Sequence, residues 1–219
     1  MCDETRKDQL APEKREKLDR YRRLNAFARP HQILFAGSSL MEQFPVNELT
    51  QDLQLSYTVY NRGIGGYTTQ EFLDSMDICV YDLEPDYIYL NIGTNDMNGQ
   101  LYSESGLFCR YRMIIEGIYA HLPDVNLYLM AYYPVNPSEA PDPGMQEVLK
   151  WRTNDRIRSA NAAVEKLAAE TGAAFIDLNE CITDTEGELK AEYTIDGMHI
   201  YADGYMQVMK ALIPYLPQC

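Results

Sequence analysis

Four short stretches carry side chains suited to nucleophilic and acid-base chemistry. Gly37-Ser38-Ser39-Leu40 is a small-residue turn ahead of a helical segment. A serine there has an exposed hydroxyl and a backbone N–H at a helix start, where developing negative charge is stabilised, although Ser38 and Ser39 are also good helix caps. Asp196-Gly197-Met198-His199 sets a carboxylate three residues before a histidine. The carboxylate can hold one ring nitrogen, fix the tautomer and leave the other nitrogen as a base toward a hydroxyl. Gly93-Thr94-Asn95-Asp96 offers an asparagine amide to an oxyanion, though Asn-Asp pairs are also turn formers. Asn61-Arg62-Gly63-Ile64-Gly65-Gly66 has three glycines that let backbone approach a ligand closely. Together they amount to a nucleophile, a base, its orienter and oxyanion donors.

Other chemistries find less support. Asp96, Asp196, His199 and Asp203 are the side chains a metal would use. No second histidine is placed beside them, and neither H-E-x-x-H nor a cysteine pair occurs, so no metal and no cofactor is expected. The glycine block is only loosely like a dinucleotide fingerprint, lacking its spacing and following the second apolar run rather than the first. There is no Walker A sequence, and nothing marks a specific carboxylate pair for glycoside hydrolysis. Of the three histidines, His31 stands just before the first apolar run and His121 at a helix end before Pro123, which leaves His199 to act.

The elements that must position these residues are read from the apolar pattern. Continuous apolar runs at Ile33–Gly37, Thr58–Tyr60, Tyr87–Ile92, Leu127–Ala131 and Ala174–Asp177 look like strands buried on both faces. Between and after them lie helical segments, Leu40 to Leu53, Thr69 to Leu83, Ser105 to Leu122, Met145 to Thr171 and Ala202 to Leu216. Five such alternations predict an α/β domain with a mainly parallel sheet covered by helices. Ligands bind such sheets beyond the carboxyl ends of the strands, where the chemical stretches fall. Tyr133 to Gly144 holds four prolines and reads as a stiff connector, or else a substrate-shaping loop or subunit contact. Tyr132-Tyr133 and Tyr201 to Tyr205 read as core edge rather than pocket lining.

The 219 residues suit one globular domain, with 46% hydrophobic and 24% charged residues. A net charge of -14 repels polyanions and makes nucleic acid a poor partner. No apolar run is long enough to span a membrane. Residues 1–29 depart from the acidic body, with nine basic against six acidic side chains. Pro12 suits a helix start, and Leu18, Tyr21, Leu24 and Phe27 form a narrow stripe for docking, the charges being read as a solvated face. Five widely spaced cysteines without C-x-x-C suggest neither a disulfide framework nor a zinc site, and no apolar signal region opens the chain. A reducing, cytoplasmic location is the expectation.

The four stretches, in this order, resemble the SGNH hydrolases, also called GDSL esterases and lipases. The wording Asn-Arg-Gly-Ile-Gly-Gly followed by Tyr67 and Thr-Thr is most similar to the branch containing platelet-activating-factor acetylhydrolase catalytic subunits and their bacterial relatives. That resemblance implies a three-layer α/β/α sandwich with a flavodoxin-like five-stranded parallel sheet, and ester hydrolysis through a serine acyl-enzyme without a metal. It selects Ser39 as nucleophile, His199 as general base and later acid, Asp196 as orienter, and the Ser39 and Gly66 N–H groups with the Asn95 side chain as oxyanion hole. Ser38 stands where the family signature has Asp, and Tyr67 where Asp often follows, a departure bearing on substrate preference. Leu40-Met41 after Ser39 departs from G-x-S-x-G and disfavours the α/β-hydrolase fold.

The expectation is therefore a hydrolase domain over 30–219, with 1–29 as a helical extension packed on it. It is expected to act as a serine esterase on short-chain carboxylic esters, neutral or zwitterionic given the acidic body, with a homodimer possible. A carbohydrate O-acetyl esterase uses the same residues, and a catalytically silent binding module on the same fold is the reading outside enzymology.

Overall fold

Strands that alternate apolar residues toward two covered faces read as unbroken apolar runs, and that is how the sheet is built. The computed structural model describes residues 9–100 and 102–217. Its five parallel strands are β1 (Ile33–Gly37), β2 (Val59–Gly63), β3 (Tyr87–Asn91), β4 (Asn126–Met130) and β5 (Ala174–Ile176), in the spatial order β2-β1-β3-β4-β5. Leu34, Ala36, Ile88, Leu90, Leu127 and Leu129 point into one core. Ile33, Phe35, Tyr89 and Met130 point into the other. The second core carries a cross-strand aromatic ladder: Phe35 stacks on Tyr89 and Tyr89 on Tyr128, each pair with centroids 5.0 Å apart. Such pairs add about 0.5–1.5 kcal/mol beyond their buried area.

The first core is covered by α1 (Pro12–Asn25), α4 (Thr69–Leu73), α5 (Met76–Cys79), α6 (Glu104–His121) and α8 (Asn154–Thr171). The second is covered by α2 (Ser39–Glu42), α3 (Val46–Asp52) and α9 (Ala202–Leu212). The remaining helix, α7 (Pro143–Trp151), starts at the Asp142 cap in the proline-rich segment. Helices thus lie on both faces of the sheet, the three-layer arrangement expected.

Several boundaries differ from the sequence reading. The Leu40–Leu53 segment is two helices broken at Pro45, which cannot sit inside a helix. Thr69–Leu83 is two short helices and a 3₁₀ turn. Met145–Thr171 is also two helices: Thr153 caps the second by accepting the Arg156 N–H, so the chain turns at Arg152. Strand β2 runs on through Asn61-Arg62-Gly63, placed after it by the sequence, because these residues pair in register with Phe35, Ala36 and Gly37. On α1 only Leu18 and Tyr21 are buried. Leu24, on the helix, and Phe27, just after it, are 52% and 84% exposed and do not extend the docking stripe.

Candidate active site

The order β2-β1-β3-β4-β5 reverses between β1 and β3, and a ligand crevice opens at such a switch point. Ser39 follows β1 and Asn95 follows β3, so both stand at this crevice. Ser38 occupies the cap position of α2 but makes no cap bond. It is 1% exposed, and its hydroxyl has no partner among the described residues. Ser39 opens the helix, and its Oγ lies 3.1 Å from His199 Nε2.

His199 sits in a tight loop rather than on a regular element. Thr194 and Ile200 form an antiparallel bridge, and the Ile195 N–H donates to the His199 carbonyl at 2.8 Å. The Thr194 hydroxyl accepts from the Gly197 N–H at 2.8 Å and donates to the His199 carbonyl at 3.1 Å. Gly197 has φ +88°, and a Cβ there would stand 2.5 Å from the Asn136 carbonyl oxygen, so only glycine suits the position. The Asn136 N–H donates to the Gly197 carbonyl at 2.7 Å, while its side chain donates to Leu189 O at 2.9 Å. The first part of the proline-rich segment is thus a buried brace for the histidine loop. The Tyr205 hydroxyl, on α9, donates to Leu40 O at 2.7 Å and ties the helix after His199 to the residue after Ser39.

Asp196 completes the row. Its Oδ2 is 2.7 Å from His199 Nδ1, and its Oδ1 accepts the N–H groups of Met198 at 3.0 Å and His199 at 2.8 Å. Partial burial pushes this carboxyl up. The His199 N–H, the imidazole and the Met198 N–H outweigh it, so the acid is held below the ordinary range and stays ionised.

Asn95 is fixed from both ends. Its Nδ2 donates to Tyr67 O at 2.9 Å, and its Oδ1 accepts from Arg152 Nη2 at 2.8 Å, which leaves one amide hydrogen for a ligand. Arg152 is 2% exposed, donates also to Asn98 Oδ1 at 3.1 Å and contacts the Met198 sulfur. Burial lowers its guanidinium to about 10, with Asp196 opposing, so it remains charged at neutral pH. The sequence reading missed Arg152. The Thr153-Asn154-Asp155 triplet signals the helix break, but nothing local tells that the preceding arginine turns inward. Asp96 Oδ1 accepts from the Thr69 hydroxyl at 2.5 Å and Arg110 Nη2 at 3.0 Å, and Oδ2 accepts the Thr69 N–H at 2.8 Å, which anchors this turn to α4.

Ser39, His199, Asp196 and Asn95 are thus brought together, with Gly66 in the turn after β2. Tyr67 is fully buried, and its carbonyl is the acceptor that holds the Asn95 amide. His31 pairs with Asp86, and His121 stacks on Tyr81 at 3.9 Å. Tyr132, Tyr133 and Tyr205 are buried core, while Tyr201 is exposed. Among the described residues no three of His, Cys, Asp and Glu cluster as metal ligands, and no helix is long and apolar enough to cross a membrane.

A flavodoxin-like sheet with serine, histidine and carboxylate in hydrogen-bonded sequence at its carboxyl edge defines a class of α/β hydrolytic enzymes. The chain belongs to the GDSL-like lipase/acylhydrolase family, whose model matches residues 35–207. It is 22% identical over 182 residues, 83% of this chain and 73% of the relative, to platelet-activating factor acetylhydrolase IB subunit alpha1 of Bos taurus. A Streptococcus pneumoniae structure described as a candidate platelet activating factor superposes with TM-score 0.83 at 33% identity, covering 94% of this chain and 93% of that one. An acetylxylan esterase of Geobacillus stearothermophilus shares the fold, with TM-score 0.65 at 19% identity over 85% of this chain and 94% of that one. The chain is a carboxylic ester hydrolase of this family.

Proposed function

We propose that the chain hydrolyses short-chain carboxylic esters through an acyl-enzyme on Ser39. The observation that carries this is the row Asp196 to His199 to Ser39, at 2.7 and 3.1 Å. His199 Nε2 takes the hydroxyl proton as Oγ attacks the ester carbonyl, and the imidazolium is stabilised by Asp196. The oxyanion is held by the Ser39 and Gly66 N–H groups and the free Asn95 amide hydrogen. Collapse expels the alcohol, which receives the proton from His199. Water, deprotonated by the same nitrogen, then releases the acid and restores Ser39. No step draws on a metal or cofactor. With a net charge of -14, neutral or zwitterionic esters are the favoured substrates, and the free thiols of Cys109 and Cys181 agree with a cytoplasmic setting.

The test is a p-nitrophenyl series from acetate through butyrate to octanoate in EDTA, with fluorophosphonate labelling located by peptide mapping. Turnover should persist in EDTA and be greatest on the shorter esters, with the label on Ser39. A rate that climbs toward octanoate overturns the short-chain reading, and absence of label on an active protein overturns the serine route. The named acetylxylan esterase neighbour keeps sugar acetates in view; release of acetate from acetylated xylan at rates above those on butyrate esters would move the substrate there.

Arg152 gives a second check. Lysine at this position carries its donors on one nitrogen and does not span the separate Asn95, Asn98 and Met198 groups that the guanidinium fork reaches. Arg152→Lys should lower kcat roughly tenfold, a part of what losing an oxyanion donor costs, and lower the thermal midpoint. An unchanged kcat would separate Arg152 from the orientation of Asn95.

A further inference from the structure

We infer that Lys14, on the N-terminal helix, is a positioning residue for the oxyanion hole, placing the Gly66 N–H by holding the Gly66 carbonyl while Glu42 holds the Gly65 N–H. The inference rests on the esterase reading above and assigns a task to a segment outside residues 35–207, the stretch matched by the family.

One stripe of α1 reaches the glycine turn point by point. Lys14, Lys17, Tyr21 and Asn25 are spaced three and four residues apart and so share a helix face. Asn25 Oδ1 accepts from Arg62 Nε at 2.9 Å, and the Tyr21 hydroxyl donates to Gly63 O at 2.7 Å. Lys17 Nζ pairs with Glu42 Oε1 at 2.9 Å, and Glu42 Oε2 accepts the Gly65 N–H at 2.5 Å. Lys14 Nζ donates to Gly66 O at 2.8 Å and to Glu71 Oε1 and Oε2 at 2.7 and 2.9 Å. The Lys14 side chain is 17% exposed, so this is not a solvated charge.

Glycine-rich backbone does not hold its own orientation, because it enters several conformational basins at similar cost. Gly66 itself is at φ +70°. Its N–H lies between a pinned amide, Gly65 N–H on Glu42, and a pinned carbonyl, Gly66 O on Lys14. The two bonds fix the peptide planes on either side, and with them the axis from Gly65 Cα to Gly66 Cα that carries this N–H; loss of either lets the glycine turn shift the donor as a whole. The bidentate Glu71 contact neutralises the ammonium, so Lys14 contributes direction to the donor more than net positive charge. Orientation of a donor toward the transition state acts on kcat and leaves ground-state binding largely alone.

The experiment compares Lys14→Met and Lys14→Arg with wild type in the full-length protein, reading kcat and KM on p-nitrophenyl acetate, the ratio of that rate to the thionoacetate rate, and the thermal midpoint. Sulfur accepts hydrogen bonds poorly, so a working oxyanion hole favours the oxygen ester. Lys14→Met should lower kcat tenfold to a hundredfold, less than the roughly 10²–10³ of a donor removed outright, with KM within about twofold. It should also narrow the oxygen-to-sulfur ratio, and Lys14→Arg should restore most of both. A wild-type kcat in Lys14→Met, or a loss of kcat with the ratio unmoved, overturns the inference. If Lys14→Met does not fold, Lys17→Met, which frees Glu42, is read the same way. A Ser39→Ala protein that remains active sinks the esterase reading itself, whereas an inactive Ser39→Ala beside an unaffected Lys14→Met sinks only the role of Lys14.

Discussion

Replacing Ser39 by alanine is expected to lower kcat on p-nitrophenyl acetate by roughly 10⁴-fold or more, the scale on which loss of a triad nucleophile acts. Alanine removes the hydroxyl that stands within hydrogen-bond reach of His199 Nε2, at 3.1 Å. What remains is the rate that oxyanion donors and substrate positioning give to attack by water. The serine beside it is the control. Ser38 is buried, and its hydroxyl bonds nothing among the described residues, so Ser38→Ala should keep activity within a few fold and change stability little. A dead Ser38→Ala beside an active Ser39→Ala would shift the nucleophile by one residue, and activity in both would remove the serine from the mechanism.

The change of Asp196 to asparagine should cost nearly as much, about 10⁴-fold in kcat, for a reason of proton placement rather than charge alone. Oδ1 accepts two backbone N–H groups, from Met198 and His199, and only an oxygen can do so. An asparagine therefore keeps its carbonyl on that side and turns its NH₂ toward His199 Nδ1. The ring nitrogen there must become an acceptor, which moves the ring proton to Nε2, facing Ser39. A histidine in that tautomer donates to the hydroxyl and cannot deprotonate it. The loop itself keeps its backbone bonds, so at pH 7 the variant should fold with a thermal midpoint lowered only by what the ionised carboxylate contributes. Asp196 also predicts a stability trend. A carboxyl held below its unfolded range contributes stability that is complete above that range and lost as pH falls through the folded value. The wild-type midpoint should therefore fall on acidification more steeply than that of Asp196→Asn. Parallel midpoints, or a near-normal kcat in the variant, would count against this account.

The sheet was legible in the chain because a parallel strand covered on both faces leaves a mark no helix shares: Ile33–Gly37 and Tyr87–Asn91 are short, unbroken and ended by small or polar residues. The chemical stretches were legible for the same reason, since strand ends define where a ligand sits. Helix interiors were less so. Pro45 and Thr153 each break a segment read as continuous, because apolar periodicity persists across a kink when both halves pack on the same core. The supports of the site were hardest to see. Arg152, Asn136 and Tyr205 act through contacts with residues 57, 53 and 165 positions away, and no local pattern encodes a partner at that range. The charges of the N-terminal helix were read as solvated because Lys14 and Lys17 look like surface residues until Glu71 and Glu42 are set opposite them.

Ser39 and His199 are separated by 160 residues, and the helix that ties them, α9, follows His199 in the chain. At about 5–20 residues per second, a ribosome needs roughly 10–30 s to deliver the base after the nucleophile. Through that interval the serine is an ordinary alcohol, and the nascent chain has no means of attacking an ester. On the reading proposed above, a chain cut short of His199 lacks both the base and the helix that holds it near Ser39, and such a fragment is expected to leave esters untouched.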